Sequence, residues 1–300
     1  MESLSELRER RAFECRLTPD RALASLDEAE AFLRERALLT RTPDCALPSL
    51  YEACHEDPYQ PGRPGFATWP ATKWPWFGEL TGRGYLCVAV HRGKNLLVSR
   101  ETATLLDPIC RAETDRMRAA DPAWRRLHDH LAMTGQSSLD DLRLELGLKR
   151  QELKALRYPL ERCGAIVARS VTMTSAGEAA EGESHAHSSE LSRWDQAYSG
   201  GPGNPQPAAV RAPPANPAGM PGDPLPPDPA GALGDLLVAA VRAAVVAPEA
   251  ELRGWFSWQW YWTDTLPDDL VRSGRLRRVG GHLAAALPAG AGDQTLPELT

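Results

Sequence analysis

Between residues 199 and 232 the chain reads "SGGPGNPQPAAVRAPPANPAGMPGDPLPPDPAGA", with eleven prolines and six glycines. Proline locks φ and removes a backbone donor, and glycine brings no side chain to pack. A stretch half made of the two supports neither an ordinary helix nor a central strand, and it builds no core. It reads as a partly extended linker that separates a long body from a short tail module.

Within the body, hydrophobic spacing predicts mostly helices. Residues 20–39 carry Leu23, Leu26, Ala29, Phe32 and Leu33 at helical spacing, and "LPSLYEACHE" reads as a short helix opened by Pro48. "TWPATKWPWFGEL" brings Trp69, Trp74 and Trp76 close together and runs into a short helix at 76–81. "GYLCVAVHRGKNLLVS" is a hairpin with Gly93 in the turn, and residues 100–120 form a helix interrupted near Pro108. Residues 122–174 are the most legible. Three short helices are punctuated by Gly135, Gly147 and Gly164, with Ser137 or Ser138 capping the second, and a strand "AIVARSVTM" follows. That order is the winged-helix variant of the helix-turn-helix. The tail repeats it in reduced form: helices in "LGDLLVAAVRAAVVA", "PEAELRGWF" and "LPDDLVRSG", then a hairpin turning at Gly280–Gly281. The expected fold is mainly α with small β-hairpin wings, an α+β chain of tandem winged-helix modules. The expected divisions are a flexible N-terminus at 1–19, a first winged-helix-like module at 20–121, a central one at 122–198, the linker at 199–232 and a small winged-helix-like module at 233–300.

Composition narrows the class. The net charge of −6 argues against a basic whole-surface nucleic-acid binder but leaves room for a local basic face. Cysteines at 15, 45, 54, 87, 110 and 163 fit neither a zinc spacing nor a disulfide framework, so packing thiols are expected. The charged start is not a secretory signal. The longest apolar run, 236–247, is broken by Arg242 and too short to span a bilayer. The expected location is cytoplasmic and nucleoid-associated, with no membrane contact.

The third helix of the central module carries Lys149, Arg150, Gln151, Lys154 and Arg157, with 150, 154 and 157 on one face. In a helix-turn-helix this element enters the major groove, where basic side chains reach phosphates and Arg or Gln reaches base edges. The alternative is a solvated face in which Glu152 and Glu161 pair with those cations. Arg92 and Lys94, at the tip of the first hairpin, could grip phosphate as a wing does, or form an ordinary polar turn. The three tryptophans of 69–76 are expected to seal the first module against the central one. The other reading places a ring on a base and Lys73 on a phosphate. In the tail, "GWFSWQWYW" alternates aromatics at 258, 260 and 262, as a strand with one aromatic face would, and is expected to pack internally or against the body. Trp194 and Tyr198 are expected to pack at i,i+4. His185 and His187 form an H-x-H pair, but no third ligand is placed by spacing, so no metal site is expected. There is no phosphate-cradling glycine loop, no H-E-x-x-H and no nucleophile elbow. No cofactor is implied.

On "LPSLYEA", "TWPATKWPWFGEL", "HRGKNLLVS" and "LRLELGLKRQELKALRYPLERCGAIV", residues 22–198 resemble the AlkZ-like (YcaQ-type) winged-helix DNA glycosylases. The resemblance implies a tandem winged-helix scaffold, double-stranded and possibly damaged DNA as partner, and excision of damaged bases through a Gln-x-Asp or Gln-x-Gln motif. Aligned on the following Pro and "LPSL", the motif positions here are Thr40 and Thr42 of "LTRTP", with Asp44 two residues further on. Glycosidic cleavage passes through an oxocarbenium-like state that a carboxylate or amide stabilises. A threonine hydroxyl can position water but cannot act as a carboxylate base. The expectation is therefore a DNA-binding relative of repair glycosylases with weak or absent base excision. The rivals are an active glycosylase with a displaced site, and a protein-interaction scaffold or transcriptional regulator.

Overall fold

The computed structural model describes residues 2–58, 69–172, 187–198 and 228–286. Its first element, α1 (Leu4–Glu14), replaces the flexible N-terminus that the sequence predicts. Ser3 and Glu6 close a capping box at its start, and Leu7 is fully buried beside Val245 and Val246 of the tail. Several of the charged residues that make 1–19 look loose are half-buried and partnered: Arg10 pairs with Glu2 and Glu14, and Arg36 with Glu14.

Three times along the chain one order of elements then recurs. In the first unit, α2 (Leu26–Arg36) is capped by Ser25 and ends in the left-handed Ala37, so it is shorter than the 20–39 expected. The residues after it form strand β1 (Leu38–Thr40). Helix α3 (Leu50–Cys54) is capped by Ser49 rather than opened by Pro48, and α4 (Trp76–Gly82) precedes the hairpin of β2 (Leu86–His91) and β3 (Lys94–Val98). Helix α5 (Arg100–Ala120) bridges to the second unit. It runs unbroken through Pro108, because the face made by Ala103, Leu106, Ile109 and Cys110 is buried, chiefly against the tail. That packing outweighs the one helical hydrogen bond a proline removes.

The second unit is α6 (Pro122–Thr134), β4 (Ser137–Ser138), α7 (Leu139–Leu146), α8 (Arg150–Arg162), and the hairpin strands β5 (Ile166–Thr172) and β6 (His187–Arg193), closed by α9 (Trp194–Ala197). The expected wing loop between β5 and β6, including His185, lies outside the described residues. The third unit is α10 (Pro229–Ala244), β7 (Val246–Pro248), a 3₁₀ segment Glu249–Gly254 in place of the expected second helix, α11 (Leu266–Arg272), β8 (Leu276–Val279) and β9 (His282–Ala285). Helix α10 is capped by Asp228 and starts at Pro229, so it takes up the last residues assigned to the linker. Of that linker, 199–227 lies outside the described residues.

Each unit holds a three-stranded antiparallel sheet in the order first–third–second: β1-β3-β2, β4-β6-β5 and β7-β9-β8. A helix, a short strand, two helical segments and a hairpin returning between the strands is the winged-helix arrangement, present here three times. The first and third hairpins turn through two residues with positive φ, Arg92–Gly93 and Gly280–Gly281, the primed turn that matches strand twist.

The apolar cores do not follow the three units. Leu127, Leu131, Leu142, Leu146, Leu153 and Leu160 close most of the central unit together with Met117 of α5, while its Val167 and Trp194 join the largest core. The largest core instead joins β2, β3 and α5 of the body to α10, Trp255, Phe256 and Trp258 of the tail. No described helix is long and apolar enough to cross a membrane.

Candidate nucleic-acid interface and active-site loop

Helix α8 occupies the recognition position of the central unit. Leu153 and Leu160 hold its inner face in the core. Lys149, Arg150, Gln151 and Lys154 are exposed at its N-terminal half, and none of the four makes an ion pair among the described residues. Glu152, the acid nearest them, accepts from the Lys149 backbone N–H at 2.7 Å and caps the helix instead of neutralising a cation. Arg157 differs. It donates to Glu161 at 2.6 Å on the half-buried side, where burial pushes the Glu161 carboxyl up despite the arginine. The solvated-face reading thus holds for Arg157, while the first turn and a half of α8 presents an unneutralised cationic end. The equivalent helices lack one: α4 carries Glu79 and no cation, and α11 begins with Asp268 and Asp269.

The other predicted phosphate contacts are placed elsewhere. Lys73 donates to the carbonyls of Leu23 (2.7 Å) and Cys54 (3.3 Å), with its ammonium 5.5 Å from the Trp76 ring centre. It ties α4 to the start of the unit and faces inward. Arg92 donates to the Gly254 carbonyl at 2.5 Å, and Lys94 pairs with Asp44. The hairpin tip rests on α8: a Cβ at Gly93 would lie 2.8 Å from the Tyr158 hydroxyl. The hairpin tip is thus braced on α8, the tail and the 41–48 loop, with Arg92 and Lys94 still exposed.

Of the two aromatic stretches, the tail one docks against the body, one of the two placements expected for it, whereas the 69–76 stretch departs from its expected seam. Trp69 stacks with Trp74 at 6.4 Å, meets Tyr51 edge-on at 6.2 Å, and shares Arg41 with Phe77. These rings close the first unit's own core rather than a seam to the central one. The seam is made by residues 254–261. Trp258 Nε1 donates to the Cys163 carbonyl at 2.9 Å and Ser257 N–H to the Val90 carbonyl at 2.9 Å. Trp260 Nε1 and Tyr261 Oη both donate to Glu113 Oε1, at 2.9 and 2.8 Å, and Arg116 reaches Glu113 at 2.7 Å. Burial and the Glu113 hydrogen bond push the Tyr261 hydroxyl up to about 12. A strand would send alternate rings to opposite faces. The 3₁₀ turn at Gln259–Tyr261 lets Trp260 and Tyr261 grip one buried carboxylate. Trp194 and Tyr198 stack at 5.3 Å as expected, with Trp194 Nε1 on Asp107.

The motif loop follows β1. Thr40 is 2 % exposed, and its hydroxyl is within reach of the carbonyls of Thr42 (3.1 Å) and Pro48 (3.2 Å). Its hydroxyl closes the 41–48 loop. Thr42 is half-buried, and its carbonyl accepts from the Asp44 N–H at 3.0 Å. Asp44 has the developed electrostatics. Its Oδ1 lies 3.3 Å from His91 Nε2 and its Oδ2 pairs with Lys94. Burial pushes its carboxyl up, but the Lys94 hydrogen bond and the His91 neighbour outweigh this and hold it below the ordinary range. His91 is fully buried, which pushes its pKa down, and its Nδ1 lies 2.6 Å from the Trp255 carbonyl. Cys45 Sγ sits 3.9 Å from His91 Nε2, its thiol raised to about 11 by burial. Nothing in the sequence marks this group, because His91 reads as part of a polar hairpin turn 47 positions from Asp44.

The fold and this placement define a tandem winged-helix class with a loop after the first strand facing the module seam. A solved structure with the same fold is the Streptomyces sahachiroi DNA glycosylase AlkZ, matched at a TM-score of 0.51 and 13% identity over 96% of this chain and 70% of that one. At that identity the likeness is one of fold. No protein-family model and no curated protein sequence matches the chain.

Proposed function

We propose that this protein binds double-stranded DNA through the N-terminal half of α8, on a scaffold shared with repair glycosylases, and has weak or absent base-excision activity. The observation that supports binding is the cationic end of Lys149, Arg150 and Lys154 with Gln151, which has no ion-pair partner among the described residues at the recognition position. The support for weak excision is the motif loop: Thr40 is buried with its hydroxyl turned to backbone carbonyls, and Thr42 offers neither carboxylate nor amide. Fluorescence anisotropy of the full chain on a plain duplex and on one with an abasic-site analogue, across a salt series, tests this. About three to four phosphate contacts give a log–log slope near −3. A flat, weak response on both duplexes would sink the binding reading.

Asp44 favours a second reading, an active glycosylase with a displaced site. It is an ionised carboxylate, partly open to solvent and held by Lys94. Such a group can stabilise an oxocarbenium-like state, as a threonine cannot. Release of an alkylated base that survives Thr40→Ala and Thr42→Ala but is abolished by Asp44→Ala would establish it in place of the first.

A further inference from the structure

We propose that Asp44, Cys45 and His91 form a binding site for a divalent cation of the zinc class. The three donor atoms lie within 4.8 Å of one another, supplied by the motif loop and the end of β2. Two of the three separations lie close to those a tetrahedral zinc imposes. Zinc bonded at ~2.0–2.1 Å to nitrogen and oxygen and ~2.3 Å to sulfur in a tetrahedron separates N from O by about 3.4 Å and N from S by about 3.6 Å. The observed distances are 3.3 and 3.9 Å. A charge-assisted hydrogen bond between imidazolium and carboxylate would draw N and O to about 2.7–2.9 Å.

The proton inventory points the same way. The Trp255 carbonyl can only accept, so at 2.6 Å it requires the proton on His91 Nδ1. In the neutral ring that leaves the Nε2 lone pair aimed at a carboxylate oxygen and a sulfur. The Cys45 thiol is protonated without metal and can offer its S–H to that lone pair. When a cation binds and the thiol proton leaves to solvent, three electron-pair donors converge on one point beside the fully buried His91. An Nδ1–H held by a carbonyl is also the outer-shell contact that orients metal-binding histidines. Lys94 holds Asp44 by Oδ2 and leaves Oδ1 for the metal. Three protein donors leave a fourth position for water. Bound there, the cation would tie the motif loop to the hairpin and, through Trp255, to the tail.

The probe is cobalt(II) alone, added to the metal-stripped full chain and then displaced by zinc(II). The expected result is a one-to-one tetrahedral spectrum with a thiolate-to-cobalt charge-transfer band, bleached by zinc, and a zinc-dependent rise in Tm. Cys45→Ser, a near-isosteric change at a half-buried position, removes the band and weakens zinc by roughly a hundredfold or more. Asp44→Asn weakens it, and the double variant His185→Gln, His187→Gln leaves the band intact. Absence of a thiolate–cobalt band in folded wild-type protein overturns the proposal in favour of a His91–Asp44 ion pair. A band that persists in Cys45→Ser overturns it equally, by placing the metal elsewhere.

Discussion

Single residues in this protein are decided by what faces them across the chain. Gly93 has φ +77°, and any Cβ there meets the Tyr158 hydroxyl. Gly93→Ala is expected to lose about 1 kcal/mol in urea unfolding from the left-handed backbone at the turn, the exposed Tyr158 ring being free to move aside. Glu113 is fully buried and serves Trp260, Tyr261 and Arg116 together. Glu113→Gln should lower stability by about 2 kcal/mol through the weakened hydrogen bonds. His128 is 2 % exposed, neither ring nitrogen has a partner among the described residues, and burial followed by the nearby Arg193 and Arg118 charges lowers its pKa from 6.5 to about 4. The folded state therefore prefers the neutral ring. Its contribution is complete above the unfolded pKa of about 6.5 and declines as pH falls toward 4, by about 3 kcal/mol at most. A His128→Phe variant should flatten the stability–pH curve in that window. An unchanged slope in it would place the pH dependence elsewhere.

At the scale of elements, the three helices in the recognition position differ in surface charge and not in placement. Three helices hold the recognition position, and the unpaired cations on α8 distinguish it from α4 and α11. Arg150→Ala and Lys154→Ala should each reduce the salt slope of DNA binding by about 1. Lys73→Ala should leave that slope unchanged and lower Tm, because Lys73 caps the Leu23 and Cys54 carbonyls. Comparing the two phenotypes separates a phosphate contact from an internal tether. The hairpin of β2 and β3 makes the same point. Its "HRGKN" tip has the charge of a wing, yet Arg92 and Lys94 are both committed to other segments of the chain.

For the whole molecule, the linker in the sequence does not mark a boundary in the core. Leu236, Leu237, Val241 and Trp258 of the tail are buried with Leu106, Val90 and Val98 of the body. Removing the tail would return those surfaces to water, at about 1.5–3 kcal/mol per large side chain. A chain ending at residue 198 is expected to lose cooperative unfolding of the first unit by calorimetry, while the central unit keeps its own transition. Retention of the full-length transition in that truncation would show the tail to be dispensable to the fold.

The periodicity of apolar residues, the serine caps and the paired turn glycines were enough to establish helices, hairpins and the repeated winged-helix order, because those features depend on neighbours a few positions apart. The cationic end of α8 was legible for the same reason: one helix face carries it. Tertiary structure decided what depends on distant partners. It tied Lys73 to the Leu23 and Cys54 carbonyls and Arg92 to the Gly254 carbonyl, and it gave the seam to "GWFSWQWYW" instead of "TWPATKW". It also brought His91 to Asp44 and Cys45, through a β2–β3 register that no local spacing records.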